Sequence, residues 1–206
     1  MLANWITLSR LPLLVFNLVV LFHGTPLLRL IGAAVLLVGL LLDTVDGVVA
    51  RKREETSLFG SVLDIALDRT YELTLWVAFA ALGMIPMVIP LVVIARTALT
   101  DAFRSIGVAS GVAPFDQHRS SLGRFLVGHP IMRTGYSITK VVTFMGLALS
   151  QAFAGYPDTT AMSRLALPLG ELMAALAWVA LAFCVLRGLP VILGTLRRHW
   201  GVTGER

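Results

Sequence analysis

Residues 30–68 read LIGAAVLLVGLLLDTVDGVVARKREETSLFGSVLDIALD. The apolar run Leu30–Leu42 stops abruptly at Asp43 and Asp46. A basic patch, Arg51-Lys52-Arg53, follows, and a second apolar stretch then carries Asp64 and Asp68. No period-two alternation marks either run, so strands are excluded and two helices joined by a short polar turn are predicted. Asp43 and Asp46 are three apart and Asp64 and Asp68 four apart, so each pair shares one face of its helix. Antiparallel packing of the two helices would bring the four carboxylates together.

The same patterning extends over the whole chain. Of its 206 residues 57% are hydrophobic and 14% charged, with a mean hydropathy of +0.83. Soluble domains run nearer to about 45–50% and about 25%. Six membrane helices are predicted, over Leu11–His23, Leu30–Val49, Leu58–Leu82, Pro86–Ile106, Met132–Ala154 and Arg164–Leu186. The expected fold is thus an all-α membrane protein, a six-transmembrane-helix bundle forming one domain over 1–206. Residues 1–10 read as an interfacial lead-in, 107–130 as a loop and 187–206 as a basic cytoplasmic tail. The turn signals are Gly24-Thr25-Pro26, Gly83 to Pro86 and Gly155-Tyr156-Pro157-Asp158. The first apolar segment has no small-residue cleavage site, which argues against a removed signal peptide. The lone cysteine, Cys184, allows no disulfide within the chain and no thiolate metal site.

Charge placement predicts topology. With the N-terminus inside, twelve cations fall on the inner side: Arg10, Arg51, Lys52, Arg53, Arg104, Arg119, Arg124, Arg133, Arg187, Arg197, Arg198 and Arg206. The outer turns hold only Arg29 and Arg164. Such a bias puts both termini and the acidic segment on the cytoplasmic side. The net charge of +5 is accordingly read as meeting anionic headgroups and phosphorylated substrates, with no nucleic-acid partner.

Four carboxylates converging at a membrane boundary repel one another and are costly beside hydrocarbon. Hard divalent ions with oxygen ligands remove both objections, and Mg²⁺ is commonly held by a few carboxylates plus substrate phosphates. Gly47 lies one turn from Asp43, Gly60 one turn before Asp64 and Ala50 one turn beyond Asp46. Small residues on the acidic faces would let a flat ligand approach the backbone. Arg51 can grip a diphosphate in bidentate fashion.

The segment matches D-x2-D-G-x2-A-R-x8-G-x3-D-x3-D at every fixed position, over Asp43 to Asp68. In this it resembles the CDP-alcohol phosphatidyltransferase family. The resemblance implies transfer of a phosphatidyl group from CDP-diacylglycerol to an alcohol, with release of CMP, in phospholipid biosynthesis. It implies Asp43, Asp46 and Asp64 as ligands of one or two Mg²⁺ or Mn²⁺ ions, and Asp68 as the general base, also touching metal. Gly47, Ala50, Arg51 and Gly60, with Asp43 and Asp46, would form the nucleotide site. A homodimer in a prokaryotic plasma membrane is also implied.

Arg96, Thr100 and Arg104 recur every four residues on one predicted helix, and Lys140 is a cation embedded in another. With Arg133 they form a candidate clamp for a phosphate on the acceptor. The segment from Ile94 to Arg104 and the opening Asn4-x2-Thr7-x2-Arg10 resemble phosphatidylglycerophosphate synthases, which implies glycerol 3-phosphate as acceptor. Thr97 and Arg69 stand where those synthases carry Glu and Lys. Inositol phosphate, inositol and serine are the alternative acceptors. Membrane prenyl transfer and divalent-cation transport are the competing classes; motif spacing opposes the first and the one-sided acids oppose the second.

Overall fold

The computed structural model describes residues 2–52, 58–109 and 130–200, with side chains described for 5–42, 59–103, 105, 132 and 134–196. Among these residues there are six helices and no strand. They are α1 (Leu2–His23), α2 (Pro26–Lys52), α3 (Leu58–Ala81), α4 (Val88–Ala109), α5 (Pro130–Phe153) and α6 (Ala161–Trp200). The all-α reading holds, and each helix overlaps a predicted one. Two boundaries differ.

The first is at the N-terminus, where the membrane helix is expected from Leu11 with 1–10 running into it as an interfacial lead-in. From Leu2 the chain is instead helical straight through Pro12 into the apolar run. Pro12 withdraws one N–H from the ladder without ending the helix. Thr7 and Arg10 are 4% and 1% exposed, so this part of α1 is packed inward rather than lying on a surface. The second is at the other end. The helix expected to end at Leu186 continues through Arg187 to Trp200, so this stretch is the last third of the 40-residue α6. Apolar positions resume after Arg187 at Leu189, Val191, Leu193 and Leu196, and Val191 is buried.

The turns between helices follow local chemistry. Gly24 ends α1, its N–H donating to the Val20 carbonyl at 2.8 Å, and a Cβ at Gly24 would strike that same oxygen. Thr25 then caps α2 through its hydroxyl, which accepts from the Leu28 N–H at 3.4 Å, with Pro26 in the first helical position. At the end of α3 Gly83 has φ +73°. Its N–H donates to Ala80 O and that of Met84 to Phe79 O, the paired bonds of a Schellman stop. Arg29, near the start of α2, donates from Nη1 to the Gln151 carbonyl at 3.4 Å, a cation at the C-terminal end of α5.

By its contacts the chain divides into two compact units, Met1–Met87 with Val141–Ala175, and Val88–Lys140 with Leu176–Arg206. In the first, α1 packs on α2 and α3. Gly32, Ala33 and Leu36 of α2 line one gap with Leu75 and Phe79 of α3, and Gly39 meets Tyr71. Rising numbers on α2 thus meet falling numbers on α3, the order of antiparallel neighbours. The aromatic core is Trp76 and Phe79 against Phe144 of α5, at ring distances of 4.7 and 5.9 Å. Between α5 and α6, the Ser150 hydroxyl donates to Ala166 O at 2.8 Å beside Gly170, and Gly146 accommodates Met173. In the second unit, Gly135 of α5 faces Phe183 of α6 and the Arg96 side chain of α4 fills the space at Gly188.

Polarity is distributed inside out. Arg10, Asn17, Glu72, Thr97, Thr100, Thr143 and Ser150 are buried, whereas Leu167, Phe59, Leu27 and Leu172 are each more than 60% exposed. Among the described residues two helical segments, Trp5–His23 and Ala161–Leu196, are long and apolar enough to cross a membrane, and Pro26–Leu42 is a shorter apolar stretch.

Candidate active site

The positions Gly60, Asp64, Asp68, Tyr71, Glu72, Leu75 and Phe79 recur at three- and four-residue spacing and form one face of α3. Along this face Gly60, Asp64 and Asp68 are half-buried, while Tyr71, Glu72, Leu75 and Phe79 are buried. The other side of the same turns is apolar and outward: Phe59, Val62 and Ile65 are 69%, 58% and 58% exposed. The two aspartates therefore continue the inward face of α3 where it opens toward the start of the helix. Just beyond them, Glu72 pairs with Arg69 at 3.7 Å.

Asp43, Asp46, Gly47, Ala50 and Arg51 lie in the last turns of α2, and their side chains fall outside the described residues. Among the described residues no three His, Cys, Asp or Glu side chains converge on a point that could hold a metal. Of the four expected ligands, Asp64 and Asp68 are the two whose side chains are described. Their chemistry fits a hard divalent ion: both are carboxylates, one turn apart, on an inward and partly sheltered face.

Immediately beyond Asp68 three helices meet on one side chain. The Tyr71 hydroxyl sits against Gly39 of α2, where an added Cβ would collide with it and lie 3.0 Å from Cζ. The guanidinium of Arg10, from α1, lies over the Tyr71 ring at 5.3 Å. Arg10 is the last position of the Asn4-x2-Thr7-x2-Arg10 opening and one of the twelve cations assigned to the cytoplasmic side. Thr7 and Arg10, three apart in that opening, are both buried on one face of α1.

The second unit gathers cations. Lys140 Nζ of α5 lies 5.6 Å from the centre of the Tyr136 ring, and Arg187 Cζ of α6 lies 5.7 Å from it. Arg96 of α4 rests against Gly188, the neighbour of Arg187. Sequence reading missed Arg187 because it ended the last helix one residue earlier. Thr100, expected on a functional face with Arg96, is fully buried, and its hydroxyl donates back to Arg96 O and Thr97 O at 2.9 and 3.0 Å. Arg104 and Arg133 lie on α4 and α5, with side chains outside the described residues.

Comparison with known proteins adds an independent line. The family model described as CDP-alcohol phosphatidyltransferase matches residues 1–186. Proteins of Mycobacterium bovis and of two strains of Mycobacterium tuberculosis, each named "Putative cardiolipin synthase", are 30% identical to the chain over 108 residues. The match covers 50% of this chain and 51% of each of those proteins. The chain thus spans about half the length of the curated relatives it matches.

Proposed function

The chain belongs to the CDP-alcohol phosphatidyltransferase family, and from that premise we propose that it is a membrane enzyme of phospholipid synthesis, transferring a phosphatidyl group from CDP-diacylglycerol to glycerol 3-phosphate. The observation that carries this reading is the inward, half-buried placement of Asp64 and Asp68 on α3. The antiparallel register supports the rest of the site. Counting four residues on from Gly39 and three back from Tyr71 reaches Asp43 and Asp68; a further turn reaches Asp46 with Gly47 on one helix and Asp64 on the other. All eight motif positions then occupy the facing ends of two neighbouring helices.

In this reading Asp43, Asp46 and Asp64 would hold Mg²⁺ or Mn²⁺, whose chemistry is to neutralise the diphosphate and the departing CMP. Family members use a divalent metal. Gly47, Ala50 and Gly60 leave room for the cytidine nucleotide, and Arg51 grips its diphosphate. Asp68 accepts the proton of the acceptor hydroxyl. The hydroxyl oxygen bonds to the phosphorus that bears diacylglycerol, the phosphorus–oxygen bond to CMP breaks, and CMP leaves with the electron pair. Lys140, Arg187 and Arg96, with Arg104 and Arg133, bind the acceptor's phosphate. Lys140 and Arg187 flank the Tyr136 ring and Arg96 packs at Gly188 beside Arg187; this gathering of cations favours a phosphorylated acceptor over serine or inositol.

The enzyme is further proposed to be a multi-pass protein with six spans and cytoplasmic termini and active site, in a prokaryotic plasma membrane, working as a homodimer. Inside-out polarity supports the spans: in lipid, polar side chains turn to the bundle interior and apolar ones outward. The name of the mycobacterial relatives supports a second reading, in which the acceptor alcohol is itself a phospholipid and the product is cardiolipin. Purified protein supplied with CDP-diacylglycerol and Mg²⁺ is to be tested for CMP release against glycerol 3-phosphate, phosphatidylglycerol, inositol phosphate, inositol and serine. Release that depends on glycerol 3-phosphate is expected. Dependence on phosphatidylglycerol selects the second reading, and no release with any alcohol refutes the transferase.

A further inference from the structure

We propose that Tyr71 is a positioning residue for the acidic site: it is the spacer that sets how closely α2 and α3 approach where their aspartates face, with Gly39 as its socket. The inference rests on the metal-site reading of Asp43, Asp46, Asp64 and Asp68 given above. Tyr71 is 2% exposed and stands between the two helices one turn beyond Asp68. Its hydroxyl reaches the α2 backbone at Gly39, and Gly39 is one turn before Asp43. No residue with a Cβ fits at 39 while that hydroxyl is there, since the added carbon would overlap the oxygen and crowd Cζ at 3.0 Å. A face of the ring is covered by Arg10, itself 1% exposed, so the tyrosine is held from α1 as well.

A packed interior transmits such a contact stiffly, because side chains meet at close to crystal density and have little room to yield. A shift at 39 or 71 therefore reaches the carboxylates one turn away. Octahedral Mg²⁺ geometry, with oxygen ligands at about 2.0–2.1 Å, tolerates little spread between two helices that each supply ligands. The tyrosine does not touch the reacting atoms. Its role is to hold the two halves of the ligand set at the separation the ion needs.

The test uses the full chain in detergent or vesicles and reads Mn²⁺ binding directly, by titrating the signal of free Mn²⁺, alongside helical content by circular dichroism. Gly39→Ala is expected to weaken Mn²⁺ binding about tenfold, the low end of the range for residues that orient metal ligands, with helical content retained. Tyr71→Phe keeps the ring and is expected to bind within about threefold of the parent, clear of that range. The double variant Gly39→Ala with Tyr71→Phe removes the oxygen that the new methyl would strike, and is expected to recover the parent's binding. Recovery has no explanation if Gly39 and Tyr71 are merely two separate packing positions. Parent-like binding by Gly39→Ala, or no recovery in the double variant, overturns the proposal. If Gly39→Ala does not accumulate as folded protein, Tyr71→Ala is compared with Tyr71→Phe: weaker binding by the first alone supports a spacer, and equal binding overturns it. A parent protein that binds no Mn²⁺ refutes the metal-site reading itself, an outcome distinct from parent binding with unaffected variants.

Discussion

Asp68 and Asp64 have the same side chain and similar burial, so the division of labour proposed for them rests on position along α3. Asp68 is one turn nearer the closed core and suits the acceptor hydroxyl; Asp64 is one turn nearer the opening and suits the nucleotide-side ion. Asp68→Asn is expected to lower kcat by at least about a hundredfold, the lower range for loss of a general base, with the KM for CDP-diacylglycerol little changed. Steady-state CMP release checks this, and an unaltered kcat would remove Asp68 from the mechanism. Arg187→Met is expected to raise the KM for glycerol 3-phosphate about tenfold, as loss of a charge-assisted bond of about 1.5 kcal/mol or more requires, and to leave the KM for CDP-diacylglycerol alone. The eight motif positions were legible because their spacing is fixed by the helix period and needs no tertiary knowledge. The place of Arg187 was not, since an arginine near a helix end looks the same in sequence whether it is solvated or stacked on a tyrosine.

At the scale of helices, the stops written in glycine and proline were readable and those overridden by packing were not. Gly24-Thr25-Pro26 and Gly83 mark real ends because each supplies a backbone bond or a left-handed φ that other residues adopt poorly. Around Gly83 nothing lies within 4 Å of an added Cβ, so Gly83→Ala isolates the backbone cost. It is expected to destabilise the protein by about 1–2 kcal/mol, seen as a lower thermal midpoint, with kinetic constants unchanged. By contrast Gly188 and Pro190 would also pass for a stop, yet α6 continues to Trp200. The difference lies in what the next turns bury: Val191 is 3% exposed, and Arg96 fills the hollow at Gly188. Gly188→Leu is accordingly expected to displace Arg96 and raise the KM for the phosphorylated acceptor without unfolding the helix, measured by the same assay and by circular dichroism.

For the molecule as a whole, the sequence carried the class of fold further than its topology. Long apolar runs make helices unavoidable, but which side each loop occupies rests on counting charges. That count is testable with single cysteines in a Cys184→Ala background. A membrane-impermeant maleimide applied from outside is expected to label Thr25→Cys and Asp158→Cys and to spare Ser57→Cys; the opposite pattern would invert the protein. The proposed convergence of four aspartates goes beyond what helical spacing gives, which is a shared face within one helix and not the approach of two. Arg29 adds a consequence for biosynthesis. Its partner, the Gln151 carbonyl, is 122 residues later in the chain, and Phe144, which completes the aromatic stack on Trp76, also belongs to α5. At about 5–20 residues per second the ribosome takes roughly ten seconds to reach them. During that interval α1, α2 and α3 can already close on Tyr71, while Arg29 and Trp76 await their partners from α5. The order of synthesis thus lets the end of α1–α3 around Tyr71 pack before the end around Arg29 and Trp76 is complete.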